Sequence, residues 1–136
     1  MTIKHQISIL DHAIIWLRSE RNQFAATDPP QWLKVTTRVK QHAKKVLQQI
    51  GVEDELIKQI DKVAFQRSAH TLHDNYKYNI DALIESHQAG VDAIISILDD
   101  YRQTLKEKQN YIMLLWTLIF SAIAAVGTIL SFLIHL

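Results

Sequence analysis

Hydrophobic residues follow two different patterns along this chain, one recurrent and one continuous. The recurrent pattern places apolar residues at every third or fourth position, which is typical of a helix with one buried face. In the first helix these positions are Ile3, Ile7, Leu10, Ile14, Leu17 and Phe24. The spacing predicts that this helix runs from about residue 3 to residue 25. The continuous pattern covers residues 111–134, where no Asp, Glu, Lys or Arg occurs.

Two further helices are predicted between these regions. The sequence "ATDPP" ends the first helix. Thr27 or Asp28 can cap the second helix with a side-chain oxygen, and the proline that follows is tolerated in its first turn. The second helix should stop at Gly51. Its apolar face consists of Trp32, Val35, Val39, Val46 and Ile50. The third should begin within "VEDEL", where acidic side chains suit the positive end of a helix dipole, and continue to about Leu72.

The last helix is expected to be very long. Its apolar positions alternate at steps of four and three, and they are Ile80, Ile84, His87, Val91, Ile94, Leu98, Tyr101 and Leu105. This seam continues into the uncharged segment without a proline, although "HDNYKYN" before it can be read either as a joint or as helix. A single helix of about 55 residues would be more than about 80 Å long. The predicted fold is all-α, a helical bundle whose last helix extends beyond it.

The uncharged segment has the length and composition of a membrane span. Its 24 residues extend about 36 Å as a helix, enough to cross a hydrocarbon layer of about 30 Å. Arg102, Lys106 and Lys108 precede it, which favours a cytoplasmic amino-terminal side. We therefore predict a bundle over residues 1–110 and a single span over residues 111–136. This is the layout of a tail-anchored protein, in the inner membrane if the source is bacterial.

Small and polar residues collect on one face of that span. They recur at steps of four and three, at Thr117, Ser121, Ala124, Thr128, Ser131 and His135. We call these six residues the small-residue stripe. On a helical wheel with Leu105 at 0°, the apolar seam lies within about 60° and the stripe is centred near 120°. Small side chains let membrane helices approach closely, so the stripe indicates self-association, a pore lining within such an assembly, or no specific role.

Acidic residues continue the direction of the stripe on the other side of the membrane surface. Glu85, Asp92 and Asp99 repeat every seven residues on the same side of the last helix. In a ring of parallel copies these carboxylates would form an acidic vestibule that attracts cations. The alternative is the solvent-facing side of an amphipathic helix.

A basic segment contrasts with this acidic row. Residues 31–52 contain five basic residues and no acidic one, although the whole chain has a formal charge of only +1. The predicted basic surface consists of Lys34, Arg38, Lys44 and Lys45. Such a surface can contact lipid headgroups, nucleic acid or the acidic residues of its own bundle. The expected partners are membrane lipid, a second copy of the chain and a cytoplasmic protein. A nucleic-acid partner is not expected.

One short motif has the form of a catalytic site. In "RSAHTLH", Arg67 and His73 form an R-x5-H arrangement that resembles the motif of HEPN ribonucleases. The resemblance implies an arginine that stabilises phosphate charge and a histidine that transfers a proton at a dimer interface. Ser68 departs from the family pattern, where a larger polar residue follows the arginine. A helical bundle of this kind beside a membrane helix also resembles the membrane accessory proteins of RNA-targeting CRISPR systems.

The sequence therefore supports three functions in decreasing order. The first is an oligomeric membrane effector, pore-forming in toxin or anti-phage action. The second is a membrane-tethered adaptor that recruits a protein partner, and the third is a HEPN-like ribonuclease. His70, His73 and Asp74 have the spacing of a partial metal site, but a third and fourth ligand are not identifiable, so no metal and no cofactor are predicted. The absence of cysteine excludes disulfides and thiol catalysis.

Overall fold

A computed structural model describes the backbone of residues 1–23, 29–65 and 76–136, and the side chains of 1–23, 34–65, 82 and 84–136. Within these residues the secondary structure is helical. The helices are α1 (Ile3–Gln23), α2 (Pro29–Ile50), α3 (Asp54–Lys62) and α4 (Tyr76–Ile134). The predicted all-α fold with a long last helix is confirmed.

The buried core lies where α1, α2 and α3 cover the first half of α4. Of these helices, α1 packs most extensively against α4. The predicted seam of α4 is the face that they cover, because His87, Val91, Ile94, Leu98 and Leu105 are all buried. The core residues contributed by the other helices include Leu10, Ile14, Leu17, Val39, Leu47 and Ile60. The heptad spacing thus identified the buried face of α4, while the side chain of Ile80 lies outside the described residues.

Helix α2 ends at the predicted glycine through a specific hydrogen-bonding pattern. Gly51 has a φ angle of 81°, which glycine adopts without steric cost. Its amide donates to the carbonyl of Gln48 at 3.1 Å, and the amide of Val52 donates to Leu47 at 3.2 Å. These two bonds form a Schellman motif, which satisfies carbonyls that the end of the helix leaves unpaired.

The predicted extent of α3 was wrong. The helix ends at Lys62 and not near Leu72, and residues 63–65 are not helical. Val63 has φ −62° and ψ 123°, an extended conformation that turns the chain away from the helix axis. Because of this turn, Phe65 reaches the core and is buried against α4. Residues 66–72 lie outside the described part of the chain.

The contact between Phe65 and α4 explains why glycine occurs within a long helix. A Cβ atom added at Gly90 would lie 2.5 Å from two ring atoms of Phe65 and 2.8 Å from Cγ. Cγ is held close to the backbone, so the ring cannot swing away without moving residue 65. Gly90 therefore costs some helix propensity, but it makes room for a buried aromatic side chain.

We expect Gly90→Ala to destabilise the bundle by up to about 2 kcal/mol. The clash with Phe65 should cost about 1–3 kcal/mol, which exceeds or offsets the roughly 1 kcal/mol that alanine gains in helix propensity. Chemical denaturation in detergent would measure this difference. The double variant Gly90→Ala, Phe65→Leu should recover part of the loss, because it removes the clashing ring. Additive effects of the two substitutions would contradict the proposed contact.

Candidate membrane-spanning interface

The small-residue stripe lies on the part of α4 that none of the other described helices covers. Every residue of α4 from position 110 onward is exposed, in contrast to Leu105, which is buried under the bundle. A shallow groove follows the second half of this segment. It is lined by Ala124, Gly127, Thr128, Ser131, Phe132 and His135. Four of these six belong to the stripe, so small side chains produce a real depression in the helix surface.

The hydroxyl groups of the stripe are partly satisfied within the helix itself. The hydroxyl of Thr117 donates to the carbonyl of Met113, and that of Thr128 donates to Ala124, both at 2.9 Å. Bonds of this kind reduce the cost of placing a hydroxyl in hydrocarbon. The oxygen atoms keep lone pairs that can still accept from another helix or face water. The stripe is therefore compatible with lipid and with a polar neighbour.

Two of the three acidic residues predicted to form a vestibule are paired with arginines of the same chain. Asp92 accepts from Nε of Arg21 at 2.7 Å, which joins α4 to α1. Asp99 accepts from Arg102, whose other amino group donates to Asp11 of α1 at 2.6 Å. Glu85 is exposed. At least two of the negative charges are therefore compensated, and the row attracts cations less strongly than its sequence spacing indicates.

Arg102 links the two helices at a half-buried position. The hydrogen bond that Arg102 donates to Asp11 is the main cause that raises the pKa of Arg102, and Asp99 adds to it, while burial acts in the opposite direction. The guanidinium therefore stays charged between two carboxylates. From the sequence, Arg102 is only one of the basic residues before the span, because its pairing depends on how α1 is aligned along α4.

The predicted basic surface is also partly used within the bundle. Arg38 donates to Glu20 of α1, and Lys44 donates to Asp61 of α3, both at 2.8 Å. Lys34 and Lys45 are exposed. The sequence left three kinds of partner open for this surface, and the acidic residues of the same bundle were one of them. They pair with two of its four residues, Arg38 and Lys44.

A second groove, which was not predicted from the sequence, lies between α1 and α2. It is lined by His5, Ser8, Ile9, His12, Ala13, Trp16, His42 and Val46. The rings of Trp16 and His42 form its floor, with their centroids 4.0 Å apart. Burial lowers the pKa of His42, an effect that Glu20 opposes and Lys45 reinforces. One feature of the sequence could have indicated this groove. His5 and His12 are seven residues apart, and both lie beside the apolar face of α1.

The catalytic candidates Arg67 and His73 lie outside the described residues, as do His70 and Asp74. Within residues 1–23, 34–65 and 84–136, no three His, Asp or Glu side chains are grouped closely enough to hold a metal ion.

No family model matches the chain, and neither a curated protein nor a solved structure is significantly similar to it. Among the described residues, one helix is long and apolar enough to cross a membrane, and it lies in the last part of α4. The fold thus defines an all-helical protein with a candidate single-pass membrane anchor. What the protein does must be inferred from the surfaces described above.

Proposed function

We propose that the protein is a membrane effector that acts as an oligomer, assembled through the small-residue stripe of α4. The observation that carries this proposal is the groove that small and polar side chains form along one side of the exposed half of α4. The seam in the first half of the same helix is buried by helices of its own chain, whereas every side of α4 beyond residue 110 is exposed. A span that served only as an anchor would need apolar side chains and no such groove.

The continuity of α4 would couple the membrane to the bundle. The helix extends from Tyr76 to Ile134 as one element, so its first half and its span cannot rotate independently. Because the stripe and the seam differ by about 120° on the wheel, spans could associate while each bundle keeps its own core. Association of the spans would then bring the bundles of neighbouring copies together.

An ion pathway along the assembled stripes is the most specific form of this proposal. The oxygens of Thr117 and Thr128 would face the lumen, because their hydrogens are donated to carbonyls of the same helix. Oxygen atoms of this kind can replace part of an ion's hydration shell. Permeation would suit a toxin or an anti-phage protein. The pairing of Asp92 and Asp99 with arginines argues for weak cation selectivity, since two carboxylates of each copy are compensated.

The test is reconstitution of the purified full-length chain into liposomes that contain a trapped fluorescent ion indicator. We expect ion flux that increases with the protein-to-lipid ratio, and a particle mass in detergent that exceeds one chain. Flotation with the liposomes would verify insertion. An inserted monomer would contradict the oligomer, and an inserted oligomer without flux would contradict the ion pathway alone.

The groove between α1 and α2 favours a second candidate function, that of a membrane-tethered adaptor. Its wall is mainly apolar, with Ile9, Ala13 and Val46, and the Trp16–His42 ring pair forms its floor. A protein segment with an apolar side chain could dock there. Substitution of Trp16 by Ala would impair such docking without changing ion flux, which separates the two functions.

A further inference from the structure

The alignment of α1 along α4 is fixed by two ion pairs. Arg21 pairs with Asp92, and Asp11 pairs with Arg102. Ten residues separate the two partners in α1, and ten separate the two in α4. The helices therefore run antiparallel, and equal numbers of residues cover equal lengths of both, at about 1.5 Å per residue.

This alignment brings the start of α1 to the level of the membrane. Each residue towards the start of α1 corresponds to one residue further along α4. This alignment places Lys4 beside Gln109 and Thr2 beside Tyr111, where the uncharged segment begins. Burial agrees with this extension. Leu105 is buried, Gln109 is still half-buried, and Ile3 packs against the core.

The end of α2 lies at the same level. The side-chain amide of Gln6 donates to the carbonyl of Ile50 at 3.1 Å. The turn between α2 and α3 is therefore next to the start of α1. The bundle thus presents one whole end, and not a single helix, to the membrane surface.

The headgroup region of a bilayer is deep enough to include these residues. It adds about 5–8 Å on each side of the hydrocarbon core, which corresponds to about three to five residues of a helix. Counted from Tyr111, this depth covers the part of α1 that lies between Thr2 and Gln6. These residues would be surrounded by headgroups whenever α4 crosses the membrane without a strong tilt.

The charges at this end are divided between two edges. The ends of α1 and α4 form an edge that carries Lys4, Lys106 and Lys108, where Lys106 and Lys108 lie on opposite sides of α4 and Glu107 lies between them in sequence. Met1, also at this end, is 64% exposed. The start of α3 carries the acidic residues of the other edge, with Glu53 before the helix and Asp54 and Glu55 in its first turn. An anionic surface would attract the first edge and repel the second.

We propose that the α1–α4 edge of the bundle docks on anionic phospholipid headgroups, with Lys4, Lys106 and Lys108 as its contacts. This inference rests on the proposed membrane insertion of α4, but it does not depend on oligomer formation. Docking would tilt the acidic turn away from the bilayer and give the bundle a defined orientation. Lysine side chains near a membrane surface interact with acidic lipid headgroups in this way.

The test uses the absence of cysteine in the chain, which allows a single label to be introduced. His5→Cys places an environment-sensitive fluorophore within the expected headgroup layer, at the level of residue 108. Ser19→Cys, at the level of residue 94, is the matched control on the same helix. Both are reconstituted into phosphatidylcholine vesicles with or without phosphatidylserine, and quenching by headgroup-labelled lipid is measured.

We expect quenching at position 5 to exceed quenching at position 19, and to increase when phosphatidylserine is present. Lys4→Gln should reduce this increase, whereas Lys34→Gln, far from the span, should not. Equal quenching at positions 5 and 19 would overturn the proposed docking, and quenching that ignores phosphatidylserine would overturn the anionic partner. Flotation of the same vesicles reports insertion separately, so a failure of the span is distinguished from a failure of docking.

Discussion

Replacement of Ser121, Ala124 and Thr128 by leucine is expected to convert the oligomer into smaller species or monomer. The three substitutions fill the stripe with side chains that keep neighbouring backbones apart, while they increase the hydrophobicity of the span. Membrane insertion should therefore be preserved. A loss of about 1.4 kcal/mol in association free energy would weaken self-association about tenfold. The particle mass in detergent, measured over a range of protein concentrations, would detect this change.

The chain offers a matched control for this experiment. Ala122→Leu makes the same chemical change as Ala124→Leu, but on the helical wheel it lies about 160° away. We expect the mass to fall for Ala124→Leu and to remain unchanged for Ala122→Leu. If both variants keep the mass of the original chain, the stripe is not the contact between copies. The proposed function would then lose the observation that carries it.

The stripe variants also separate assembly from permeation. If the ion pathway is formed by associated spans, the triple leucine variant should lose flux in proportion to its loss of oligomer. The carboxylates are poorer targets, because Asp92→Lys or Asp99→Lys would place a cation beside Arg21 or Arg102. Such a variant would disturb the contact between α1 and α4 before it changed ion selectivity.

The part of the fold that depends on local periodicity could be predicted from the sequence. The seam of α4 was identified because its apolar residues repeat at regular steps, and the end of α2 because Gly51 supplies a left-handed conformation. The early end of α3 could not be identified, because its apolar pattern continues beyond Lys62. The chain leaves the helix there so that Phe65 can pack over Gly90, a contact between residues 25 positions apart.

The candidate site was predictable to a smaller extent. The seam that the wheel assigned to the core is buried, whereas the stripe stays a prediction, because every side of α4 beyond residue 110 is exposed. It could not assign partners to charged residues, because Asp92 and Asp99 meet arginines only through the alignment of α1 and α4. The groove at Trp16 and His42 was missed for the same reason, since it requires two helices to lie side by side.

We expect the histidine within the seam to make the bundle sensitive to acid. His87 is fully buried, and its ring centroid is 6.0 Å from that of Phe65. Burial lowers the pKa of His87 from its ordinary value of 6.5, although the backbone and the charge of Glu20 oppose the effect. The neutral imidazole is therefore the form that the folded bundle accommodates.

The direction of the pH dependence follows from this pKa. The unfolded chain binds a proton at residue 87 near pH 6.5, whereas the folded bundle binds it only at lower pH, so the unfolded state gains protons first. Stability should be complete above about pH 6.5 and should fall as the pH decreases below that value. A single histidine contributes a slope of at most about 1.4 kcal/mol per pH unit. His42, whose pKa is also lowered by burial, should add to the loss in the same direction.

We expect His87→Gln to reduce this slope, because glutamine is a polar side chain that does not titrate. The variant should be less stable than the original chain at neutral pH, since the shape of the buried ring is lost. Denaturant unfolding in detergent between pH 7.5 and pH 5, followed by tryptophan fluorescence, measures both effects. His5→Gln is the control, because His5 is exposed on α1. An unchanged slope in His87→Gln, with the slope lost instead in His5→Gln, would show that the buried histidine is not the acid-sensitive group.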